Sequence, residues 1–250
     1  MITYVYDGTI DGIFTCVFNY FVNKRGDEAT LTAVASQLSF CGETEQVKTD
    51  YENNKRIIAA LYRYGGVNLL NDLRYSFRSG ENGKGTVIFN YIKATFEARA
   101  NVSDKFSDAR VLDFYDLIKR ISYEVHRFKG FLRFTESVEG ILYARFEPDN
   151  DIADLLLPHF SARLGAIPFA VHDSRRNVVC MHNGSENRTV KTDKIAFVNV
   201  SEKESAFGSL WKEYYRSVNI KERKNESLMR AFMPVRYHKN LPERDFKAAR

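Results

Sequence analysis

The chain has 250 residues, of which 44% are hydrophobic and 28% charged, and a formal net charge of +5. This is the balance of an ordinary soluble globular protein, long enough to bury a sizeable core. Three cysteines, Cys16, Cys41 and Cys180, exclude a four-thiolate zinc or iron–sulfur centre within one chain, and no run approaches the roughly 18 apolar residues that cross a bilayer.

In chain order, Ile2 to Tyr6 predicts a short strand closed by the turn pair Asp7-Gly8. A helix is predicted over residues 9–23, with Ile10, Ile13, Phe14, Val17 and Phe21 on one face and Gly26-Asp27 at its end. Residues 31–38 fit a short strand or a helix, and 40–49 a loop with a short strand. From Tyr51 the period is helical. Ile57, Leu61 and Tyr64 form one stripe and Val67, Leu70, Leu73 and Phe77 another, with Gly65-Gly66 between them. Ile88, Ile92 and Phe96 mark a third helix. The clearest helix runs from Val111 to about Lys129, with Phe114, Leu117, Ile121, Val125 and Phe128 on one face and Gly130 as its stop.

The period then changes to two. Phe131–Phe134 and Ile141–Phe146 predict an antiparallel hairpin. A helix over 152–164 follows, with Pro158 expected to break or kink it. Residues 169–172 and 178–182 predict a second hairpin, Asn183-Gly184 a further tight turn, and 195–200 an edge strand. Ser201 with Glu204 matches a capping box opening a helix over 202–217 that carries Phe207, Leu210, Trp211, Tyr214 and Tyr215. The expected architecture is one α+β domain over 1–250. It has a helical middle section and, in the second half, an antiparallel sheet covered by helices.

Charge is unevenly spread. Residues 212–250 hold eleven Lys or Arg against five Asp or Glu, so nearly all the positive excess lies there. Cations in this region interleave with Trp211, Tyr214, Tyr215 and Tyr237. Lys and Arg neutralise phosphates and release counterions, and aromatic rings stack on unpaired bases. The nucleic-acid candidates are Tyr215, Arg216, Lys221, Arg223, Lys224, Arg236, Tyr237 and His238. The bland alternative packs the aromatics inside and leaves the basic chains merely solvated. A mixture is expected, with Trp211 in the core.

A second constellation is His159, Arg163, His172 and Asp173. His159 and Arg163 share a helix face, and His172-Asp173 ends a strand. A helix laid over that hairpin would bring all four together for general acid–base work. The alternative makes His159 a partly buried residue and pairs Arg163 with Asp173. His172 and His182 could face each other across the hairpin, but neither HxH nor HExxH occurs, so neither a metal nor a cofactor is expected. Gly8 to Gly12 reads as a strand-to-helix turn. SGENGKG at 79–85 lacks the Ser or Thr that a phosphate loop needs after its Lys, and no Gly-x-Ser-x-Gly elbow is present. MITYVYDGTIDGIF has no basic stretch before an apolar run, and the odd cysteine count fits a reducing compartment, so a cytoplasmic protein is expected.

The order FLRFTESVEGILYARFEPDNDI, LLLPHFSARL, FAVHDSRR and LWKEYYRSVNIKERKNESLMRAFMPVRYHKNLPE, with YVYDGTIDGIFTCVF at the start, resembles a bacterial family labelled probable DNA-metabolism proteins. The likeness covers essentially the whole chain. Members of that family occur alone or with a uracil-DNA glycosylase-like domain, and are commonly encoded beside a radical-SAM protein assigned to DNA repair. The resemblance implies a role in DNA repair or modification, with DNA and that radical-SAM protein as partners. The chain ends at Arg250, just after the shared motif, so the short form without glycosylase activity is expected. No catalytic residue carries over. Three functions stand open: an accessory protein that binds nucleic acid or a repair partner through its basic C-terminal region, a small enzyme acting on nucleic acid or a nucleotide, and a module that docks the radical-SAM protein.

Overall fold

A computed structural model describes residues 2–23, 28–33, 43–192, 199–218, 220–223, 225–233, 237–238 and 241. The fold is α+β, with two compact units, Met1–Tyr123 and Glu124–Arg250. Among the described residues no helix is long and apolar enough to cross a membrane.

The first unit opens with β1 (Ile2–Val5), buried along its whole length. It lies between β2 (Ala29–Thr32) and β3 (Glu43–Gln46), and both pairings are parallel. A parallel pair needs a crossover, which α1 (Ile10–Val22) supplies between β1 and β2. Thr9 caps this helix by accepting from the Gly12 N–H at 3.0 Å. Gly12 is a close-approach glycine, since a Cβ there would stand 2.4 Å from an Asp7 carboxylate oxygen. The helical section follows as α2 (Tyr51–Phe77), α3 (Lys84–Ala98) and the start of α4 (Ala109–Phe131). The Gly65-Gly66 interruption appears as a kink inside α2, where Gly66 takes φ 62°, ψ −157°, a conformation open mainly to glycine. The core is aromatic: Tyr20 meets Phe89 edge-on at 5.4 Å, and Tyr91 stacks on Phe114 at 3.7 Å.

The second unit holds the C-terminal part of α4 and a five-stranded sheet in the order β4-β5-β6-β7-β8. The strands are β4 (Thr135–Glu136), β5 (Leu142–Phe146), β6 (Phe169–Asp173), β7 (Val178–His182) and β8 (Asn187–Lys191). The sheet is mixed rather than purely antiparallel. Between β5 and β6 runs α5 (Ala153–Leu164), a crossover that makes this pair parallel, while β6-β7 and β7-β8 are hairpins. The chain continues into α6 (Glu202–Val218), a turn of 3₁₀ helix at Lys221–Arg223, and α7 (Glu226–Phe232).

Three local expectations are corrected. Phe131–Phe134 is not a strand, because α4 runs through Gly130 to Phe131 and the true strand is only Thr135–Glu136. Its aromatics plug the core instead: Phe134 meets Phe160 at 4.9 Å and Phe169 at 5.8 Å. Pro158 does not end α5. It is exposed, where water can reach the carbonyl it leaves without a helical partner. The capping box before α6 is half formed, with the Glu204 N–H donating to Ser201 Oγ at 3.1 Å while the Ser201 N–H goes to the Glu136 carbonyl. The predicted edge strand at 195–200 lies mostly outside the described residues. Val200 makes an isolated bridge to Ser137.

Candidate functional site

The basic C-terminal segment was expected to bury Trp211 and expose its cations. Trp211 is instead 42% exposed, and Phe207, Leu210, Tyr214 and Val218 are exposed with it. Spacings of three and four residues set these five side chains on one face of α6. Trp211 and Tyr214 lie 5.8 Å apart, tilted by 35°. Tyr215 is half-buried, at the flank of this face. Arg216 points away from it, five residues from Trp211 and two from Tyr214 at about 100° per residue, and pairs with Glu213 at 3.8 Å. Arg223 is exposed in the 3₁₀ turn, and Arg230 on α7. Tyr237, expected to stack on bases, is only 4% exposed, with Phe128 edge-on to it at 4.8 Å. His238 Nε2 is 3.0 Å from the Met233 carbonyl oxygen. Lys224, Arg236 and the Lys221 side chain lie outside the described residues.

The His159, Arg163, His172 and Asp173 constellation is dispersed. Strand pairing fixes two sheet faces. Phe146, Phe169, Val171, Asp173, Cys180 and His182 share the face that α5 covers, with Phe160 of that helix 6.4 Å from Phe169. Tyr143, Arg145, Ala170, His172 and Val179 share the other. His172 and Asp173 therefore project in opposite directions. Arg163 is exposed and His159 half-buried on α5. Asp173 is paired not with Arg163 but with Arg176, at 2.9 Å. His172 and His182 also sit on opposite faces and cannot share a metal. His182 is held instead by Asn187 at 2.8 Å, with its ring 5.3 Å from Phe169.

Residues 82–243 match the model of a protein family described as a domain of unknown function, DUF4130. The match takes in more than half of the chain. The protein belongs to the DUF4130 family. No curated protein matches it. The DUF4130 segment begins just before α3 and includes most of the second unit, so it contains both the exposed face of α6 and the His172 face of the sheet.

Within the DUF4130 segment, sequence reasoning missed the partner of His172. Its Nδ1 is hydrogen-bonded to the Tyr143 hydroxyl, while its Nε2 is buried and, among the described residues, has no hydrogen-bond partner. Burial holds the imidazole pKa below its ordinary value. The Arg145 guanidinium adds to that effect, and Asp173 opposes it. A neutral buried histidine carries a stability signature. As pH falls below about 6.5 the unfolded chain takes up a proton that the folded one resists, so stability drops toward the depressed folded pKa. Urea midpoints are expected to fall between about pH 7 and pH 5, and His172→Gln to flatten that fall. An unchanged slope in the variant would contradict this assignment. The strand pattern held the signal, because Tyr143 lies one alternation from Arg145, on the non-apolar face of β5.

The two phosphate-loop look-alikes, one before the matched segment and one at its start, have structural roles. The Asp7 carboxylate accepts from the Thr9 N–H at 3.0 Å and from the Thr9 and Thr49 hydroxyls at 2.6 Å each, and these bonds hold its pKa below the usual range. Lys84 Nζ donates to the Phe77 and Ser79 carbonyls at 2.7 and 2.8 Å, closing the end of α2.

Proposed function

We propose that this DUF4130 protein is an accessory factor of DNA metabolism that docks a partner protein through α6. The observation that carries this reading is the exposed line of Phe207, Leu210, Trp211, Tyr214 and Val218 on a folded, capped helix. Apolar surface left in water forgoes roughly 25 cal/mol per Å² of burial, and a contiguous patch of it marks an interaction surface. Anchors at this spacing are those of an amphipathic helix lying in a partner's groove. Charge favours a protein over a polyanion at this face. Lys203, Lys212 and Arg216 balance Glu202, Glu204 and Glu213 along α6, and Arg216 lies away from the stripe. The resemblance to DNA-metabolism proteins supplies the partner's class, the radical-SAM protein encoded beside them.

The test is a titration of the full chain against that radical-SAM protein. Trp211→Ala is expected to weaken binding by about 30-fold, the loss typical of a central aromatic anchor. Part of the ring is covered, since Trp211 is 42% exposed, so the unfolding free energy of the variant is measured alongside its binding. Equal affinity for variant and parent would overturn the proposal.

Nucleic acid is the second reading. It is favoured by the excess of Lys and Arg after residue 218 and by the exposed Arg223 and Arg230. It would give oligonucleotide affinity falling steeply and linearly on logarithmic salt axes.

A further inference from the structure

The helix α2 carries its cations on the side turned away from the core of the first unit. Ile57 and Leu61 before the kink at Gly66, and Leu69 and Leu73 after it, are buried in one core. The opposite sides of both halves therefore face water, and Lys55, Arg56, Arg63 and Arg74 are exposed there. From Lys55 to Arg78 the chain holds five cations, these four and Arg78, against one carboxylate, Asp72. That carboxylate is half-buried and accepts from the Tyr115 hydroxyl of α4 at 3.2 Å, so it is turned inward, away from the exposed cations.

The four exposed cations are not equivalent. Lys55 pairs with Glu52 at 2.7 Å, but both side chains are more than two-thirds exposed, where such a pair contributes little. Arg56 stands over the Phe18 ring, 5.1 Å from its centre, which orients the guanidinium without neutralising it. Among the described residues Arg63 and Arg74 have no anionic partner. Tyr51 and Tyr62, 67% and 60% exposed, stand about three turns, roughly 16 Å, apart on the same side, with Lys55 and the small Ala59 between them. Guanidinium and ammonium groups hold phosphates and release counterions, and exposed rings interleaved with them stack on unpaired bases. A duplex keeps its bases stacked on one another, so the rings favour a single strand.

We propose that this side of α2 binds single-stranded DNA, with phosphates on Lys55, Arg56, Arg63 and Arg74 and bases against Tyr51 and Tyr62. The surface belongs to the first unit and precedes the DUF4130 segment. It uses neither α6 nor the basic C-terminal segment, and so goes beyond the docking reading.

Anisotropy of fluorescein-labelled oligothymidylate titrated with the full chain, at salt from about 50 to 200 mM, tests the proposal. Four phosphate contacts give an expected slope of about −3 on logarithmic axes, and Arg63→Ala combined with Arg74→Ala should halve it. Replacing the same two residues by lysine should keep most of the slope, because the charges stay. Tyr62→Ala should weaken binding at least about fivefold and Tyr62→Phe should restore it, since the ring is what stacks. Arg223→Ala with Arg230→Ala should leave the affinity unchanged. So should Trp211→Ala, which makes failure here and failure of the docking reading separate results. A slope unmoved by the double alanine variant of α2, a loss confined to the Arg223 and Arg230 variant, a duplex of equal length binding as tightly as the single strand, or no binding at about 50 mM salt would each overturn the assignment.

Discussion

Replacing Asp173 by alanine is expected to cost about 3 kcal/mol of stability, the scale seen when one partner of a buried ion pair is removed. Asp173 is 0% exposed at the end of β6. Its carboxylate accepts from the Arg175 and Arg176 N–H groups at 2.9 and 3.1 Å, which closes the β6-β7 turn, and from Arg176 Nη1 at 2.9 Å. Arg176 in turn donates to the Pro148 carbonyl at 3.1 Å and to the Asp149 carbonyl. One carboxylate thus ties the β6-β7 turn to the β5-α5 turn. Without it, two backbone donors lose their acceptor and a largely buried guanidinium loses its counter-charge. Asp173→Asn keeps acceptor oxygen for the turn and should cost less. Urea unfolding of the full chain measures both. A loss below about 1 kcal/mol for alanine would contradict the structural role and return Asp173 to the list of candidate catalytic groups.

Glu124→Ala is expected to destabilise the second unit by a similar amount, about 3 kcal/mol, for a different reason. Glu124 is 3% exposed on the C-terminal part of α4. Its two oxygens accept from the Asp149 N–H at 2.9 Å, the Asn150 N–H at 2.9 Å and the Asn150 side-chain amide at 2.6 Å. These bonds hold the chain reversal between β5 and α5 on which the parallel β5-β6 pairing depends. An alanine leaves these donors without the carboxylate, and an unmade buried hydrogen bond costs more than a made one contributes. Glu124→Gln keeps one acceptor and should recover part of the loss. Amide exchange at Asp149 and Asn150 would localise the effect. Unchanged protection at both would contradict it.

The helices were legible wherever a 3.6-residue period lay over a one-sided core. The stripe from Phe114 to Phe128 is buried on one face of α4, and the break at Gly65-Gly66 is a real kink. The β6-β7 hairpin was legible from its two apolar runs and short turn. The parallel β5-β6 pair was not, although the strand–helix–strand order was on the page, because local hairpin logic favoured pairing β5 with the aromatic run before it. Both kinds of pairing form: β5 takes β4 antiparallel on one edge and, through the α5 crossover, β6 parallel on the other. The strand β8, NRTVK, is exposed at every residue and has no alternation to read. The scattering of His172, Asp173 and His182 is a matter of register. His172 pairs with Val179 and Phe169 with His182, so the alternation of strand side chains puts the two histidines on opposite faces. Trp211 shows the limit of periodicity, which reports that a helix has an apolar face but not whether the same chain covers it.

Trp211 is the single tryptophan of the chain, so it can report on α6 without interference. With fluorotryptophan incorporated at that position, one fluorine NMR resonance can be followed as the unlabelled radical-SAM protein is added, and separately as oligothymidylate is added at about 0.15 M salt, where exposed charges are screened beyond about 8 Å. A shift with the protein and none with the oligonucleotide is the expected result. A resonance that stays in place while the radical-SAM protein binds, or that moves only with the oligonucleotide, would contradict docking through α6.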